Sequence, residues 1–231
     1  MRALLLAAGL GTRLRPLTDT IPKCLVPIKG QPLLDIWLER LTQAGISPFM
    51  INTYYFARQV EAFIEDSPYR DNVTLVNELE LQGTAGTLIA NLDFFQGEDG
   101  LLIHADNYCL ADFTAFQQAH RDRPPECLLT MMTFRADCPA SCGIVELDER
   151  NVVISFHEKL ATPPGNLANG AVYILSKELL SLLGSDYHAV KDFSNEVLDR
   201  FVGRIFSYET VEVFLDVGTP ETYAKANQQD R

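Results

Sequence analysis

Short apolar runs alternate with amphipathic stretches along most of the chain. Runs of about four to eight apolar residues are typical of buried strands, and the stretches between them repeat apolar residues at helical spacing. The helix that Pro32 opens places Leu34, Trp37, Leu38 and Leu41 on one face and has Gly45 as its cap. Strands are also predicted at Ala3–Ala8, Phe49–Asn52, Val73–Asn77 and Leu101–His104, and helices at Ala57–Glu65, from Gly83 to about Leu92 and at Phe113–Arg121.

The second half of the chain adds an antiparallel element. Gly143–Leu147, the polar turn Asp148–Asn151 and Val152–Phe156 predict a hairpin. Further strands are predicted at Cys127–Phe134, Ala171–Leu175, Arg204–Tyr208 and Val213–Leu215, and helices at Lys177–Leu183, Ser194–Phe201 and from Thr219 to about Asn227. Alternating strands and helices predict an α/β fold with a Rossmann-like, doubly wound sheet that is mixed in its second half. Because no linker or repeat divides residues 1–231, we expect a single domain.

Charge is distributed unevenly along the 231 residues. The chain has a net charge of −12, which argues against nucleic-acid binding because a duplex-binding protein needs a basic face. Residues 1–30 hold five basic residues and one acidic residue, a local net charge of +4, so the remainder carries −16. A basic segment in an acidic chain suggests a site for a small anion, although a solvated charged loop explains the charge equally well.

Cysteine usage and hydropathy indicate the compartment. The five cysteines are an odd number, and Cys138 and Cys142 form an isolated C-x3-C pair, so zinc binding is not expected. Reduced, buried thiols are expected, and we predict a cytoplasmic protein. Met1–Leu10 is better explained as a buried strand than as a signal peptide, because Gly9 interrupts the apolar run. No segment has the length of a membrane span, so no membrane partner is expected.

The glycine-rich segment after the first predicted strand is the clearest chemical motif. It reads Leu6-Ala-Ala-Gly-Leu-Gly-Thr-Arg-Leu-Arg-Pro-Leu-Thr18, and Pro22-Lys23 follows. Glycines let backbone N–H groups approach a phosphate chain, and Arg13 and Lys23 add positive charge. The dinucleotide fingerprint is not met, because Leu14 replaces its third glycine, and no Walker loop is present. By itself, a turn with two glycines indicates only a tight connection.

The segment closely resembles the G-x-G-T-R-L-x-P-L-T…P-K signature of the sugar-1-phosphate nucleotidyltransferases, the nucleotide-sugar pyrophosphorylases. Further matches follow in the family's order along nearly the whole chain, at Gly83-Thr-Ala-Gly86, Asp106, Gly143, Glu158-Lys159, Asn169 and Asp216-Val-Gly-Thr-Pro220. The resemblance implies a GT-A-like nucleotide-diphospho-sugar transferase fold. It is nearest the short type similar to mannose-1-phosphate guanylyltransferase or N-acetylmuramate-1-phosphate uridylyltransferase. Because the hexapeptide repeats of longer relatives are missing, we expect a bare catalytic domain.

The reaction that this resemblance implies is nucleotidyl transfer. The phosphate of a sugar 1-phosphate attacks the α-phosphorus of a nucleoside triphosphate in line, and pyrophosphate leaves. The resemblance assigns Arg13 to the departing pyrophosphate and Lys23 to holding the two reacting phosphates together. It makes Asp106 and Asp216 the ligands of Mg²⁺, the expected cofactor, which commonly binds one or two carboxylates plus phosphate oxygens.

The resemblance also implies where the two substrates bind. The nucleotide-binding residues are Leu6, Ala7, Ala8, Gly9, Gly11, Thr12, Arg13, Gln82, Gly83 and Thr84. Thr84 is at the same time a candidate N-cap, and Glu78 and Glu80 are expected to be exposed acids rather than base partners. The residues for the sugar phosphate are Gly143, Glu158, Lys159 and Asn169.

Several substrates stay open. The Gly-Thr-Ala-Gly segment favours GTP with a mannose- or heptose-type 1-phosphate, while UTP with N-acetylmuramate 1-phosphate and CTP with phosphocholine are alternatives.

Departures from the family pattern concern the sugar pocket. They are Ala105, Leu160, Phe214 and the order Asn169-Gly-Ala, where the family has Asn-Ala-Gly. A non-catalytic nucleotide-sugar sensor is the alternative from another class. It would predict loss of Lys23 or an aspartate, and all are present.

Overall fold

The computed structural model describes residues 1–187 and 189–229. Its strands are β1 (Arg2–Leu6), β2 (Pro27–Ile28), β3 (Gln31–Pro32), β4 (Phe49–Thr53), β5 (Val73–Asn77), β6 (Gly100–His104), β7 (Asn107–Cys109), β8 (Leu129–Arg135), β9 (Gly143–Leu147), β10 (Val153–Glu158), β11 (Leu167–Leu175), β12 (Ile205–Glu209) and β13 (Phe214–Asp216). Its α-helices are α1 (Leu33–Gln43), α2 (Ala57–Glu65), α3 (Gly83–Ala90), α4 (Phe113–Asp122), α5 (Lys177–Asp186) and α6 (Pro220–Gln228). Short 3₁₀ turns lie at Thr12–Leu14, Leu17–Asp19, Lys23–Leu25, Arg70–Asn72, Leu92–Phe95, Pro139–Ser141 and Leu198–Phe201, and a π-helix spans Phe193–Val197.

The chain is organised in two compact units. Unit 1 comprises Met1–Leu81, Ile103–Phe113 and Glu212–Arg231, and unit 2 comprises Gln82–Leu102 and Thr114–Val211. Each unit contains both strands and helices, so the predicted α/β class is confirmed. The single domain over residues 1–231 stays a prediction.

Unit 1 is built on parallel strands. β4 pairs in parallel with β1 and with β5, in a register that aligns Leu5 with Ile51 and Ile51 with Leu75. The middle of β1 and all of β4 are buried, as expected for parallel strands that are covered on both faces. α1 buries its predicted face, and its Trp37 Nε1 donates a hydrogen bond to the carbonyl of Asn107 at 2.8 Å.

A short antiparallel pair completes unit 1 and was not predicted. β13 pairs with β7, and the register places Asp216 opposite Asn107 and Leu215 opposite Tyr108. β7 is only three residues long and follows directly on the predicted strand end, so its hydrophobic pattern merges with that of β6. This pairing places β13, the strand shortly before α6, beside the turn that contains Asp106.

Unit 2 is built around β8. β8 pairs antiparallel with β11 and in parallel with β12, and β11 also contacts β9. The predicted hairpin is confirmed as β9 and β10, and Asp148 Oδ1 stabilises its turn by accepting the backbone N–H groups of Arg150 and Val152, both at 2.8 Å. The predicted helix Ser194–Phe201 is instead a π-helical turn followed by a 3₁₀ turn.

The cysteines only partly follow the prediction. All five are free; Cys24, Cys109 and Cys127 are buried, and Cys138 is exposed. Burial raises the pKa of Cys24 and of Cys109 to about 12. Within residues 1–187 and 189–229, the helices are too short or too polar to span a membrane.

Candidate active site

The glycine-rich loop lies in unit 1 and begins at the carboxyl end of β1. Gly11 has a φ of +62°, and a Cβ atom there would lie 2.9 Å from Thr18 Cγ2 and 3.2 Å from Lys23 Cβ. The buried Thr18 hydroxyl donates to the Gly11 carbonyl at 2.7 Å. Gly11 is therefore required both by its backbone conformation and by the close approach of the segment that carries Lys23.

Lys23 is the centre of an ionic cluster in unit 1. Its side chain is only 7% exposed, and its ammonium lies 2.7 Å from Asp106 Oδ2 and 3.5 Å from Asp216 Oδ1. Arg13 Nη2 lies 3.7 Å from the other oxygen of Asp216. The structure thus brings together four predicted site residues, two cations and two carboxylates.

The backbone explains why the two carboxylates converge. Asp106 lies in the turn between β6 and β7, where the N–H of Ala105 donates to the carbonyl of Leu6 at 3.0 Å. Asp216 ends β13 and is aligned with Asn107, the next residue after Asp106. A Cβ atom at Gly218 would lie 2.9 Å from Arg13 Nη2, so the glycine two residues after Asp216 leaves room for the guanidinium.

The electrostatics keep Asp106 ionised. Partial removal from water would by itself raise the pKa of Asp106, but the Lys23 ammonium at hydrogen-bond distance and the nearby His104 overcome this effect, and the pKa is lowered. The side chains of Asp106 and Asp216 are 42% and 48% exposed, so both carboxylates can reach a ligand.

The carboxylates of Asp106 and Asp216 are suitable ligands for Mg²⁺. Two carboxylate oxygens contact the same ammonium, which shows that they face one small volume. Mg²⁺ prefers hard oxygen ligands and usually takes the rest of its shell from water and phosphate oxygens. The described part of the chain has no group of three or more His, Cys, Asp or Glu side chains suited to a metal.

Glu78 contradicts the prediction that it is exposed. It is 4% exposed and directly follows β5, and its Oε1 accepts a hydrogen bond from Asn52 Nδ2 at 2.9 Å. Asn52 Oδ1 in turn accepts the backbone N–H of Ala7 at 2.7 Å. In the sequence, Asn52 indicated only the end of a strand. The signal in the sequence that could have indicated its role is an amide side chain at the end of an otherwise apolar strand. Glu80 is exposed as predicted.

In unit 2, the Gln82–Thr84 segment begins α3. Gly83 has a φ of +80°, and a Cβ atom there would lie 2.4 Å from the carbonyl oxygen of Lys191. The prediction that Thr84 is the N-cap is wrong: the cap position is Gln82, and Thr84 Oγ1 instead accepts the N–H of Phe193 at 2.8 Å. Thr84 therefore fixes α3 to the π-helical turn rather than closing the helix end.

Three of the predicted sugar-phosphate residues meet in unit 2. Gly143 is aligned with Glu158 across the hairpin, and a Cβ atom at Gly143 would lie 2.7 Å from Glu158 Oε2. Lys159 has a φ of +50°, and its ammonium lies 3.1 Å from Glu158 Oε1. The missing side chain at Gly143 therefore makes the space that the carboxylate occupies.

Asn169, the fourth of these residues, lies in β11 and is held at both ends of its amide. Its Oδ1 accepts the N–H of Ala171 at 2.9 Å, and its Nδ2 donates to the Tyr173 hydroxyl at 2.7 Å. The register of β11 against β8 shifts between Asn169 and Tyr173, and Ala171 has a φ of +53°. The departure from the family pattern thus puts alanine in a left-handed conformation at the position where the family has glycine.

We expect Ala171→Gly to increase the free energy of unfolding by about 1 kcal/mol, because a left-handed conformation costs an L-residue more than glycine loses in chain entropy. The measurement is urea unfolding of the purified chain. Ala168→Gly in the same strand is the matched control and should lower that free energy, since Ala168 is buried in extended backbone. Destabilisation by both changes would contradict the strain at Ala171.

The comparisons with known proteins identify the family of the chain. The profile of the nucleotidyl transferase family matches residues 2–231. A putative mannose-1-phosphate guanyltransferase of Sulfolobus acidocaldarius is 29% identical, and the match covers 97% of this chain and 62% of the relative. The D-glycero-alpha-D-manno-heptose 1-phosphate guanylyltransferase of Campylobacter jejuni is 27% identical, with 96% of this chain and 97% of that protein covered. The chain therefore spans less than two thirds of the mannose-1-phosphate relative but nearly all of the heptose relative.

Solved structures confirm the predicted fold. HddC from Yersinia pseudotuberculosis, complexed with GMP-PN, has a TM-score of 0.82 and 29% identity, and the match covers 98% of both chains. A putative glucose-1-phosphate thymidylyltransferase from Bacillus anthracis has a TM-score of 0.86 at 22% identity, and the match covers 98% of this chain and 94% of that chain. At this identity the likeness supports the fold alone. With a family match over nearly its whole length and the ionic cluster of Lys23 in place, the chain belongs to the nucleotidyl transferase family.

Proposed function

We propose that the chain is a Mg²⁺-dependent sugar-1-phosphate nucleotidyltransferase. The enzyme transfers a nucleotidyl group from a nucleoside triphosphate to a sugar 1-phosphate and releases pyrophosphate. The observation that carries the proposal is the burial of Lys23 between Asp106 and Asp216, with Arg13 beside them. A charged side chain in this setting is costly to a fold unless it is paired, and both of its partners keep an exposed side that a ligand can reach.

The transfer is an in-line substitution. An oxygen of the sugar phosphate forms a bond to the α-phosphorus, the bond from that phosphorus to the bridging oxygen breaks, and pyrophosphate departs with the electron pair. Both substrates are polyanions, so the protein must neutralise charge and hold the reacting groups in line. Lys23 holds the attacking and attacked phosphates together, and Arg13 stabilises the charge that develops on pyrophosphate.

The remaining parts of the proposal concern binding. The backbone from Leu6 to Thr12 surrounds the phosphates, and Gln82, Gly83 and Thr84 contact the base or the ribose. Asp106 and Asp216 hold Mg²⁺, which when bound neutralises phosphate oxygens. Glu158, Lys159, Asn169 and the backbone of Gly143 contact the sugar phosphate, since carboxylate and amide groups accept hydrogen bonds from hydroxyls and the amide also donates. The whole chain acts as one catalytic domain.

For the substrates we propose GTP and a mannose- or heptose-type 1-phosphate. The support is that several relatives are named guanylyltransferases for mannose or heptose 1-phosphate, and that HddC was solved with GMP-PN. The proposed compartment is the cytoplasm, which is consistent with five free cysteines.

A pyrophosphate-release assay tests the proposed function. The purified chain is incubated with Mg²⁺ and each pairing of GTP, UTP, CTP, ATP or dTTP with mannose, heptose, glucose or N-acetylmuramate 1-phosphate or phosphocholine. We expect release only when GTP and a mannose- or heptose-type 1-phosphate are present together. Release with another pairing would overturn the substrates and keep the reaction. Triphosphate binding without release for any pairing would favour a sensor.

A further inference from the structure

A buried chain of hydrogen bonds in unit 1 connects the start of the glycine-rich loop to the end of β5. It runs from the Ala7 backbone N–H to Asn52 Oδ1 at 2.7 Å, and from Asn52 Nδ2 to Glu78 Oε1 at 2.9 Å. Asn52 and Glu78 are each 4% exposed, and Ala7 is also buried. None of these contacts uses the ionic cluster, and the roles proposed above leave Asn52 and Glu78 unassigned.

The contact from Asn52 replaces a backbone contact at the point where β1 ends. The parallel register aligns Leu6 with Asn52, and Asn52 with Val76 in β5. Ala7 is the first residue beyond β1, and its N–H is accepted by a side chain of β4. This arrangement satisfies the amide while the chain turns away from the sheet toward Gly9.

Glu78 fixes the orientation of the Asn52 amide. Its own N–H donates to the Thr53 carbonyl at 2.8 Å, so the start of the segment after β5 is tied to β4. Because a carboxylate only accepts, Asn52 must turn its NH₂ group toward Glu78 and its oxygen toward Ala7. The other end of the loop is held separately by the bond from Thr18 to Gly11.

We propose that Asn52 is a positioning residue for nucleotide binding: oriented by Glu78, it holds the Ala7 amide and thereby sets the place at which the phosphate-binding loop begins. The proposal rests on the proposed function in that the loop binds a nucleoside triphosphate. Asn52 acts through the loop backbone, so its loss affects the affinity for nucleotide and leaves the KM for the sugar 1-phosphate unchanged.

The test is an exchange of hydrogen-bonding groups. Asn52→Asp keeps the size and the acceptor for Ala7 but places a second carboxylate against Glu78. We expect the affinity for nucleotide to fall about tenfold, because the hydrogen bond to Glu78 is lost and the two facing carboxylates repel, which turns residue 52 away from Ala7. Glu78→Gln keeps an acceptor for Asn52 and should change the affinity by less than about twofold. In the double variant, the introduced glutamine donates to the introduced aspartate, which still accepts from Ala7, so we expect near-wild-type affinity.

Isothermal titration calorimetry with GTP, UTP, CTP, ATP and dTTP, in Mg²⁺ and without acceptor, measures this affinity apart from turnover. Thermal melting checks that each variant folds. An unchanged affinity in folded Asn52→Asp would overturn the proposal, as would a double variant that stays weak. If Asn52→Asp does not fold, the double variant decides. Recovery of both folding and nucleotide affinity supports the proposal, and failure to recover them overturns it.

The same titrations separate this inference from the proposed function. If the wild-type chain binds a triphosphate but releases no pyrophosphate, the proposed transferase activity is overturned. The role of Asn52 in nucleotide binding is then still tested by the affinities of the two single variants and the double variant. A wild-type chain that binds none of these triphosphates overturns both.

Discussion

Replacing Lys23 with alanine is expected to reduce kcat of the proposed transfer by at least about a hundredfold, the usual loss when a preorganised charge that stabilises a transition state is removed. Lys23 lies within 3.5 Å of both Asp106 and Asp216, so its removal leaves two carboxylates facing each other and the incoming phosphates. The measurement is the steady-state rate of pyrophosphate release at saturating substrates, with thermal melting of the variant alongside.

Lys29→Ala is the matched control for Lys23→Ala. It removes the same charge from the same basic segment, and Lys29 is exposed and has a φ of +50°, a conformation that alanine tolerates as poorly as lysine. The control should keep nearly all of the activity. A folded Lys23→Ala variant whose kcat stays near that of the wild type would remove Lys23 from the mechanism.

Asp216→Asn is expected to lower kcat about a hundredfold and to raise the Mg²⁺ concentration that gives half-maximal activity. Asparagine keeps the size but presents a neutral oxygen to a cation that prefers charged ones. The substitution also removes the negative charge from the ion pairs that Asp216 forms with Arg13 at 3.7 Å and with Lys23 at 3.5 Å. Because Asp216 is 48% exposed, folding should be little affected.

Titration of activity with Mg²⁺ checks this second prediction. Asp19→Asn is the control, because Asp19 is similarly exposed and paired with a neighbouring arginine, Arg15, at 3.1 Å. The control should show the Mg²⁺ dependence of the wild type. An Asp216→Asn variant with that same dependence would exclude Asp216 as a metal ligand.

Elements with a strong local pattern were predictable from the sequence. The buried face of α1, the strands β4 and β5 and the hairpin of β9 and β10 all follow from hydrophobic spacing and turn residues. Prediction was poorer at element ends, where tertiary contacts compete with local preference. β1 ends at Leu6 rather than Ala8 because the N–H of Ala7 donates to the side chain of Asn52 in β4 and not to a backbone carbonyl of that strand.

Side-chain partners were the least predictable part of the site. Thr84 looks like a helix cap, yet its hydroxyl accepts from Phe193, a residue 109 positions away. Glu78 looks exposed because charged residues usually are, yet Asn52 supplies the buried hydrogen bond that its carboxylate needs. Each outcome depends on a partner that is distant in the sequence.

The sequence by itself determined the α/β class, the family resemblance and the identity of the charged residues, because these depend on local periodicity and on a contiguous glycine-rich motif. Only the tertiary structure decided that Lys23 lies against Asp106, 83 positions away, and that Asp216 joins them. The physical reason is the register of β7 and β13, which aligns Asp216 with Asn107 through backbone hydrogen bonds that carry no sequence signal of their own.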